Sequence, residues 1–479
     1  MIHIKSFLFN SVKERKADLY VIIPLVLVSV ISGIYVHYLV SITNDPAIHS
    51  EIVNIISQQV YPVSWEPYAS NDFTYPPLFH YFALLIHFSG LSAIDSVRIA
   101  GIMLWALLPV FAYLIGSLYG KRIAAISAFL SVFFPFMSNI FIFGEFPQLM
   151  AMEFLILEIY FLKTGRNLWG GILVGLAFLS HPFISIISFL VYLYFILPLS
   201  IKKWKNLSYI LVPFVVSLPW LPKYMQIFMN MISGQWQNVT YNVYQPVFWF
   251  WPADTLVKYV FDPNYFTPVI LALSLIGFAK TKDKFLRIFF VVSLFFSIYH
   301  LPFTQLKVFD TLTIPSFLLA SAGVVTLADS AKKYGKLYAF SVAAIFIIMM
   351  SSFQVYHFYY AKNFWPDPRI SPEPPLYEAA FWLGEYDKNP ARIYVDNAPA
   401  WFGALSNKIS LEPEISYLEK FSSSYLRQQE INKMIKEKLK AGEDVKTLAK
   451  EAGLKYLITK EKTNLNEIYS GRGWFVYTV

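Results

Sequence analysis

The sequence predicts a polytopic α-helical membrane protein of about eleven transmembrane helices with a C-terminal exterior α/β domain. Three observations predict it. Apolar runs of membrane-spanning length recur through a chain of 479 residues that is 56% hydrophobic and only 15% charged. Basic clusters fall between alternate pairs of these runs. Beyond Tyr359 the composition turns charged and water-compatible.

The clusters Lys5 to Lys16, Lys121-Arg122, Lys163 with Arg166, Lys202-Lys203-Lys205, Lys280 to Arg287 and Lys332 to Lys336 all fall on one side if that side is cytoplasmic. The alternate loops, 41–97, 143–148, 180–182, 223–266 and 301–313, then face outward and carry only Lys223, Lys258 and Lys307. The N-terminus is expected in the cytoplasm, the C-terminal domain outside, and the protein in the cell membrane. The implied spans are roughly 18–40, 97–119, 123–142, 147–163, 168–180, 183–200, 207–222, 266–279, 285–301, 314–329 and 337–358. The first run is too long for a signal-peptide core and reads as an uncleaved helix.

Leu78 to Leu91 is apolar but short and follows Pro76-Pro77, so it reads as a helix lying in or dipping into the outer leaflet. Residues 1–360 form the transmembrane unit, with 41–97 as its first exterior loop. A Pro-rich linker spans 361–376, and 377–479 form the soluble domain. There Tyr377 to Tyr386 reads as a helix, and Ala391 to Asp396, Leu454 to Thr459 and Trp474 to Val479 read as strands. A long polar helical region covers about Ser422 to Ala452.

Several chemistries are excluded or unsupported. There is no cysteine, so thiolate catalysis, disulfides and Cys-based zinc sites are impossible. The net charge of +8 sits in short clusters between spans, without the continuous basic stripe that nucleic acid requires. No Gly-rich phosphate loop, Ser–His–Asp elbow or His-Glu-x-x-His stretch occurs.

What remains are polar residues on the outward face. Asp45 in Asn44-Asp45-Pro46 fits a helix cap with Pro46 in the first turn. It equally fits a carboxylate that deprotonates an acceptor or positions a metal ion. His49 is four residues on, within reach of the same helix face. Glu145 in Phe143-Gly144-Glu145-Phe146-Pro147 sits in a very short outward loop, either as a solvated acid or as a second site carboxylate. Glu153 and Glu158 lie within the following span, where carboxylates usually face a polar cavity or a partner. His181 in Ser180-His181-Pro182 is either a hydrogen-bonded structural residue or a metal or phosphate ligand. Lys307 either pairs with Asp310 or meets an anionic headgroup or lipid-linked phosphate. Trp236, Tyr241, Tyr244, Trp249 and Trp251 suit sugar stacking and interfacial anchoring equally.

With these residues in place, the chain resembles the GT-C class of polyprenyl-phosphate-dependent glycosyltransferases, which includes oligosaccharyltransferase catalytic subunits, protein O-mannosyltransferases and aminoarabinose transferases. Asp45 matches their first-loop catalytic acid. Tyr75-Pro76-Pro77-Leu78 is similar to the Pro-Pro-Leu that opens their loop helix, and Arg98 to the basic residue starting the next span. Glu145 matches the second acidic position, and Lys307 with Pro315 the residues contacting lipid phosphate. The likeness departs in having single acids, Lys instead of Arg, and no Trp-Trp-Asp motif in the soluble domain.

The resemblance implies an inverting enzyme that moves a sugar from a polyprenyl-phosphate-linked donor to a glycan, lipid or protein acceptor on the non-cytoplasmic face. Asp45 and Glu145 would be catalytic. Lys307, His49, His181 and Tyr75 would bind substrate or lipid phosphate. Asp45, Glu145 and His181 would hold a divalent metal such as Mg or Mn. The rival expectation is a transporter or flippase for a lipid-linked or anionic substrate, with Glu153 and His181 in a proton relay.

Overall fold

The structure is a computed structural model that describes residues 12–40, 45–59, 61–62, 75–202, 208–223, 225, 268–298, 305–364, 374–389, 391–396, 399–410 and 423–479. The expectations for Lys258 and the aromatic loop (Trp236, Tyr241, Tyr244, Trp249 and Trp251) lie outside the described residues.

The transmembrane part contains α1 (Val12–Ile34), which runs into a π-helical turn (Tyr35–Val40), then α2 (Asp45–Gln58), α3 (Leu78–His87), α4 (Ala93–Ser117), α5 (Lys121–Phe133), α6 (Pro135–Phe143) and α7 (Phe146–Lys163). It continues with α8 (Asn167–Phe178), α9 (Pro182–Lys202), α10 (Ser208–Ser217), α11 (Pro268–Lys280), α12 (Lys284–Ile298), α13 (Gln305–Ala331) and α14 (Lys336–Phe364). Six helical stretches among the described residues are long and apolar enough to cross a bilayer: α1, α4, α5 with α6, α9, α13 and α14. The other expected spans are short, or, like α7, carry Glu153, Glu158 and Lys163. The helix α3 has 10 residues. At about 1.5 Å per residue it cannot cross a core of about 30 Å.

Two helices differ from the sequence reading. The expected span 123–142 is broken at Phe134, whose backbone is extended (φ −86, ψ 117). A residue before proline is pushed out of the helical region, and Pro135 then starts α6. Second, Lys307 was expected in a loop before a span starting at Ile314-Pro315. Helix α13 instead begins at Gln305, puts Lys307 in its first turn and carries Pro315 inside. Proline removes one donor, a loss that a helix packed among neighbours tolerates. Helices α11 and α13 pack backbone to backbone: Gly277 faces Leu319, Gly323 faces Leu273, and the Ser274 hydroxyl donates to the Ser316 carbonyl at 3.1 Å. A Cβ at either glycine would overlap the facing main chain.

The C-terminal part contains α15 (Pro374–Tyr386), β1 (Arg392–Val395), α16 (Pro399–Ser406), β2 (Ile409–Ser410), α17 (Ser423–Ala441), α18 (Lys446–Glu451), β3 (Tyr456–Thr459), β4 (Asn466–Gly471) and β5 (Trp474–Thr478). Helix α14 continues to Phe364 and α15 starts at Pro374, so helix occupies both ends of the expected linker. The sheet order is β2-β1-β3-β5-β4, with parallel pairs around β1 and antiparallel pairs around β5. Side chains alternate between its faces. Ile393, Val395, Ile458 and Val476 pack with α15 and α16, whereas Tyr394, Leu457 and Tyr477 pack with Ile435 and Leu439 of α17.

Ala47 of α2 and Ile94 of α4 belong to the same apolar cluster as Leu376, Trp401 and Phe402. The C-terminal domain is therefore seated directly on the first loop.

Candidate active site

The sequence-predicted acids head two elements that meet. Helix α6 ends on Gly144 in the left-handed region (φ 77, ψ 19). The Glu145 amide donates back to the Ile140 carbonyl at 3.0 Å, and the Gly144 amide to the Phe141 carbonyl at 3.1 Å. This paired closure satisfies the last carbonyls of a helix and calls for glycine at the left-handed position. Pro46 lies directly over that glycine: a Cβ on Gly144 would stand 2.6 Å from Pro46 Cδ and Cγ. Asp45 precedes Pro46 and Glu145 follows Gly144, so each acid is the chain neighbour of a contacting residue.

Asp45 is half-buried in the first turn of α2, where the positive end of the helix favours a carboxylate. Glu145 is half-buried at the N-terminus of α7, and its side chain makes no capping hydrogen bond to that helix. Phe146, completely buried, fixes the turn from below. It packs against Phe79 at 5.6 Å between centroids, against His37 at 5.0 Å, and against Gly101 of α4, where no larger residue fits.

His49 is buried, with Nδ1 3.1 Å from Nε2 of His80. Its ring lies 5.9 Å from Tyr75 and 5.7 Å from Phe79. Burial pushes the His49 imidazole down to about 3, so it is neutral at physiological pH, and one of the two rings donates to the other. Tyr75 is half-buried, and Pro76 and Pro77 after it are buried. As the sequence suggested, they lead into a short helix, and the Leu78 amide donates to the Leu179 carbonyl at 2.9 Å. That bond ties the first loop to the turn that carries His181. His181 itself is buried, and its Nδ1 accepts a long hydrogen bond from the Ile184 amide at 3.4 Å, at the start of α9.

The structure thus brings Asp45, Glu145, His49, Tyr75 and the His181 turn into one chain of contacts. The side chain of Lys307 lies outside the described residues. Among the described residues no three His, Asp or Glu side chains are grouped as a metal ion needs, so Asp45, Glu145 and His181 do not form such a set. Glu153 is buried in α7. Glu158, also buried, accepts from the Ser188 hydroxyl of α9. His37 and His80 were not anticipated. The sequence carries no signal for His37; in the structure it lies in a π-helical turn, a distortion frequent near sites. His80 had none beyond its place after Pro76-Pro77.

No family model matches this sequence, and no curated protein does. Comparison of folds does find similar structures. The chain is similar to ArnT from Cupriavidus metallidurans, solved bound to undecaprenyl phosphate: TM-score 0.61, 13% identity, covering 96% of this chain and 98% of that one. The apo state of the same protein gives TM-score 0.60 at 11% identity, over 97% and 98% of the two chains. The Archaeoglobus fulgidus oligosaccharyltransferase, solved with Zn and sulfate, matches at TM-score 0.53 and 14% identity, covering 91% of this chain and 67% of that one. The fold is that of the GT-C membrane enzymes.

Proposed function

Taking the GT-C fold as premise, we propose that this chain is an integral-membrane inverting glycosyltransferase. It moves a sugar from a polyprenyl-phosphate-linked donor to an acceptor hydroxyl or amide on the non-cytoplasmic face. The observation that carries the reading is the seat of Pro46 on Gly144, which supports Asp45 and Glu145, the chain neighbours of these two residues, as the paired acids. The Asp45 carboxylate takes the acceptor's proton. The acceptor atom attacks the anomeric carbon opposite the carbon–oxygen bond to phosphate. That bond breaks, its electron pair leaves with the lipid phosphate, and configuration inverts. Glu145 orients the reacting groups. The neutral His49, with Tyr75 and His181, hydrogen-bonds substrate. Lys307 supplies the positive charge for the leaving phosphate, a fixed charge worth most where water is excluded.

The test is release of polyprenyl phosphate and glycosylated product by reconstituted protein. Asp45→Ala should lower turnover by about 10²–10⁴-fold, the usual contribution of a positioned base, with folding intact. Full transfer by that variant would sink the assignment. A transport reading has one observation in its favour, the two buried carboxylates Glu153 and Glu158 within α7. It predicts vesicle flux that survives Asp45→Ala and disappears in Glu153→Gln.

A further inference from the structure

The C-terminal domain contributes none of the residues proposed for chemistry, yet it is seated on the helix that carries Asp45. Two contacts define the seat. Arg98, at the start of α4, is held between the ring of Tyr38 at 5.0 Å and the ring of Trp401 in α16 at 5.3 Å, with Asp95 at 3.7 Å. Trp401 is 1% exposed. Two residues on, Gly403 lies against Glu51 of α2: a Cβ there would stand 2.6 Å from Glu51 Oε1 and 2.8 Å from the Lys408 carbonyl. Glu51 is completely buried. A buried carboxyl group and a half-buried guanidinium at a domain seam tolerate little displacement, because a gap too small for water leaves their polar atoms without compensating contacts.

Helix α2 has 14 residues, a length that is marginal for an isolated helix in water. Its position comes from what covers it. Helices α3 and α4 cover one side, and α16, together with Leu376 and Phe402 of the same apolar cluster, covers the side bearing Ala47. Ala47 is two residues from Asp45.

We infer that the C-terminal domain is a positioning element: Trp401 over Arg98, and Gly403 beneath Glu51, hold α2 so that Pro46 stays on Gly144 and the placement of Asp45 relative to Glu145 is kept. Trp401 and Gly403 are positioning residues that act through α2. The catalytic consequence rests on the glycosyltransferase reading, whereas the geometric one does not.

The absence of cysteine allows a direct test in the full chain. Asp45→Cys with Glu145→Cys, treated with a short bifunctional thiol reagent, reports whether α2 keeps its seat. Adding Trp401→Leu should slow cross-linking roughly tenfold, the scale of losing a desolvated cation–π contact. Trp401→Phe, which keeps a ring over the guanidinium, should restore most of the rate. The second variant is Arg98→Met, which breaks the same contact from the membrane side and leaves the C-terminal core intact. Equal cross-linking in the parent and Arg98→Met proteins overturns the inference, as does failure of the parent pair to cross-link at all. With Asp45 and Glu145 restored, Trp401→Leu should lower kcat and leave the donor KM unchanged. If cross-linking responds as expected but the unaltered chain transfers no sugar, the positioning role stands and the glycosyltransferase reading falls.

Discussion

Gly144→Ala is the sharpest probe of the candidate site, because two separate penalties meet at one atom. Gly144 is left-handed at φ 77, and a Cβ there would stand 2.6 Å from two carbons of the Pro46 ring. The conformation alone costs about 1–2 kcal/mol for alanine, and an overlap of this kind typically adds about 1–3 kcal/mol. Relief requires the N-terminus of α2 to move off the turn. Every ~1.4 kcal/mol lost from the transition state is a factor of ten in rate. The overlap should therefore lower transfer by about 5- to 150-fold, with donor binding less affected. Gly90→Ala is the matched control: it also has a positive φ, 92, but nothing lies within 4 Å of the added carbon. It should lose stability of the first kind and keep its activity. The assay is initial-rate transfer by both variants in the same detergent, each normalised to folded protein. If Gly144→Ala turns over within about twofold of Gly90→Ala, an effect too small for a lost transition-state contact, the contact does not position the reacting acids.

Two further outcomes follow from titration. The folded chain holds His49 neutral, its pKa depressed to about 3, whereas an unfolded chain protonates near the ordinary 6.5. The stability that His49 contributes is complete above pH 6.5 and is lost as pH falls toward 3, at up to about 1.4 kcal/mol per pH unit. Thermal unfolding of His49→Gln should be less sensitive to pH between 6.5 and 5 than that of the parent; equal slopes refute the assignment. In the C-terminal domain, burial opposes ionisation of Asp387. Hydrogen bonds from Lys455, the Asn389 amide and Tyr456, with the charge of Lys408, outweigh it and hold the carboxyl well below the usual carboxylate range. Asp387→Asn should destabilise the domain by about 3 kcal/mol, the scale of breaking a buried pair. Because a depressed acid stabilises above its unfolded pKa, the deficit should persist from neutral pH to about pH 4 and shrink below it, as read by chemical denaturation.

Much of the fold was legible in the sequence because the signals are local. Apolar runs and basic clusters mark helices and their ends, and Pro76-Pro77 marks the start of α3. Strands β1, β3 and β5 alternate clearly. Strand β4, Asn466–Gly471, was not legible: it is an edge strand with few buried positions. Lys307 was misplaced because Pro315 reads as a helix start when considered alone. For the site, Asp45, His49, Glu145 and His181 were identified singly. That Pro46 rests on Gly144, and that His80 completes a pair with His49, depends on contacts between residues distant in sequence. No period or composition encodes them.

The interruption at Phe134 has a mechanical meaning. A continuous helix is stiff along its length because every turn is laced to the next. Here the lacing stops: Pro135 has no amide to give, and the Ser138 hydroxyl reaches back only weakly, 3.4 Å from the Val132 carbonyl. Helix α6 is thus a short arm of nine residues that ends on Gly144, beneath Pro46, and passes through Glu145 directly into α7. Its base is steadied sideways by the Gln354 amide of α14, 2.6 Å from the Ser138 hydroxyl. An arm jointed in this way takes its direction from the side chains packed around it and not from α5, so the acid at its end is aimed by contacts made far away in the sequence.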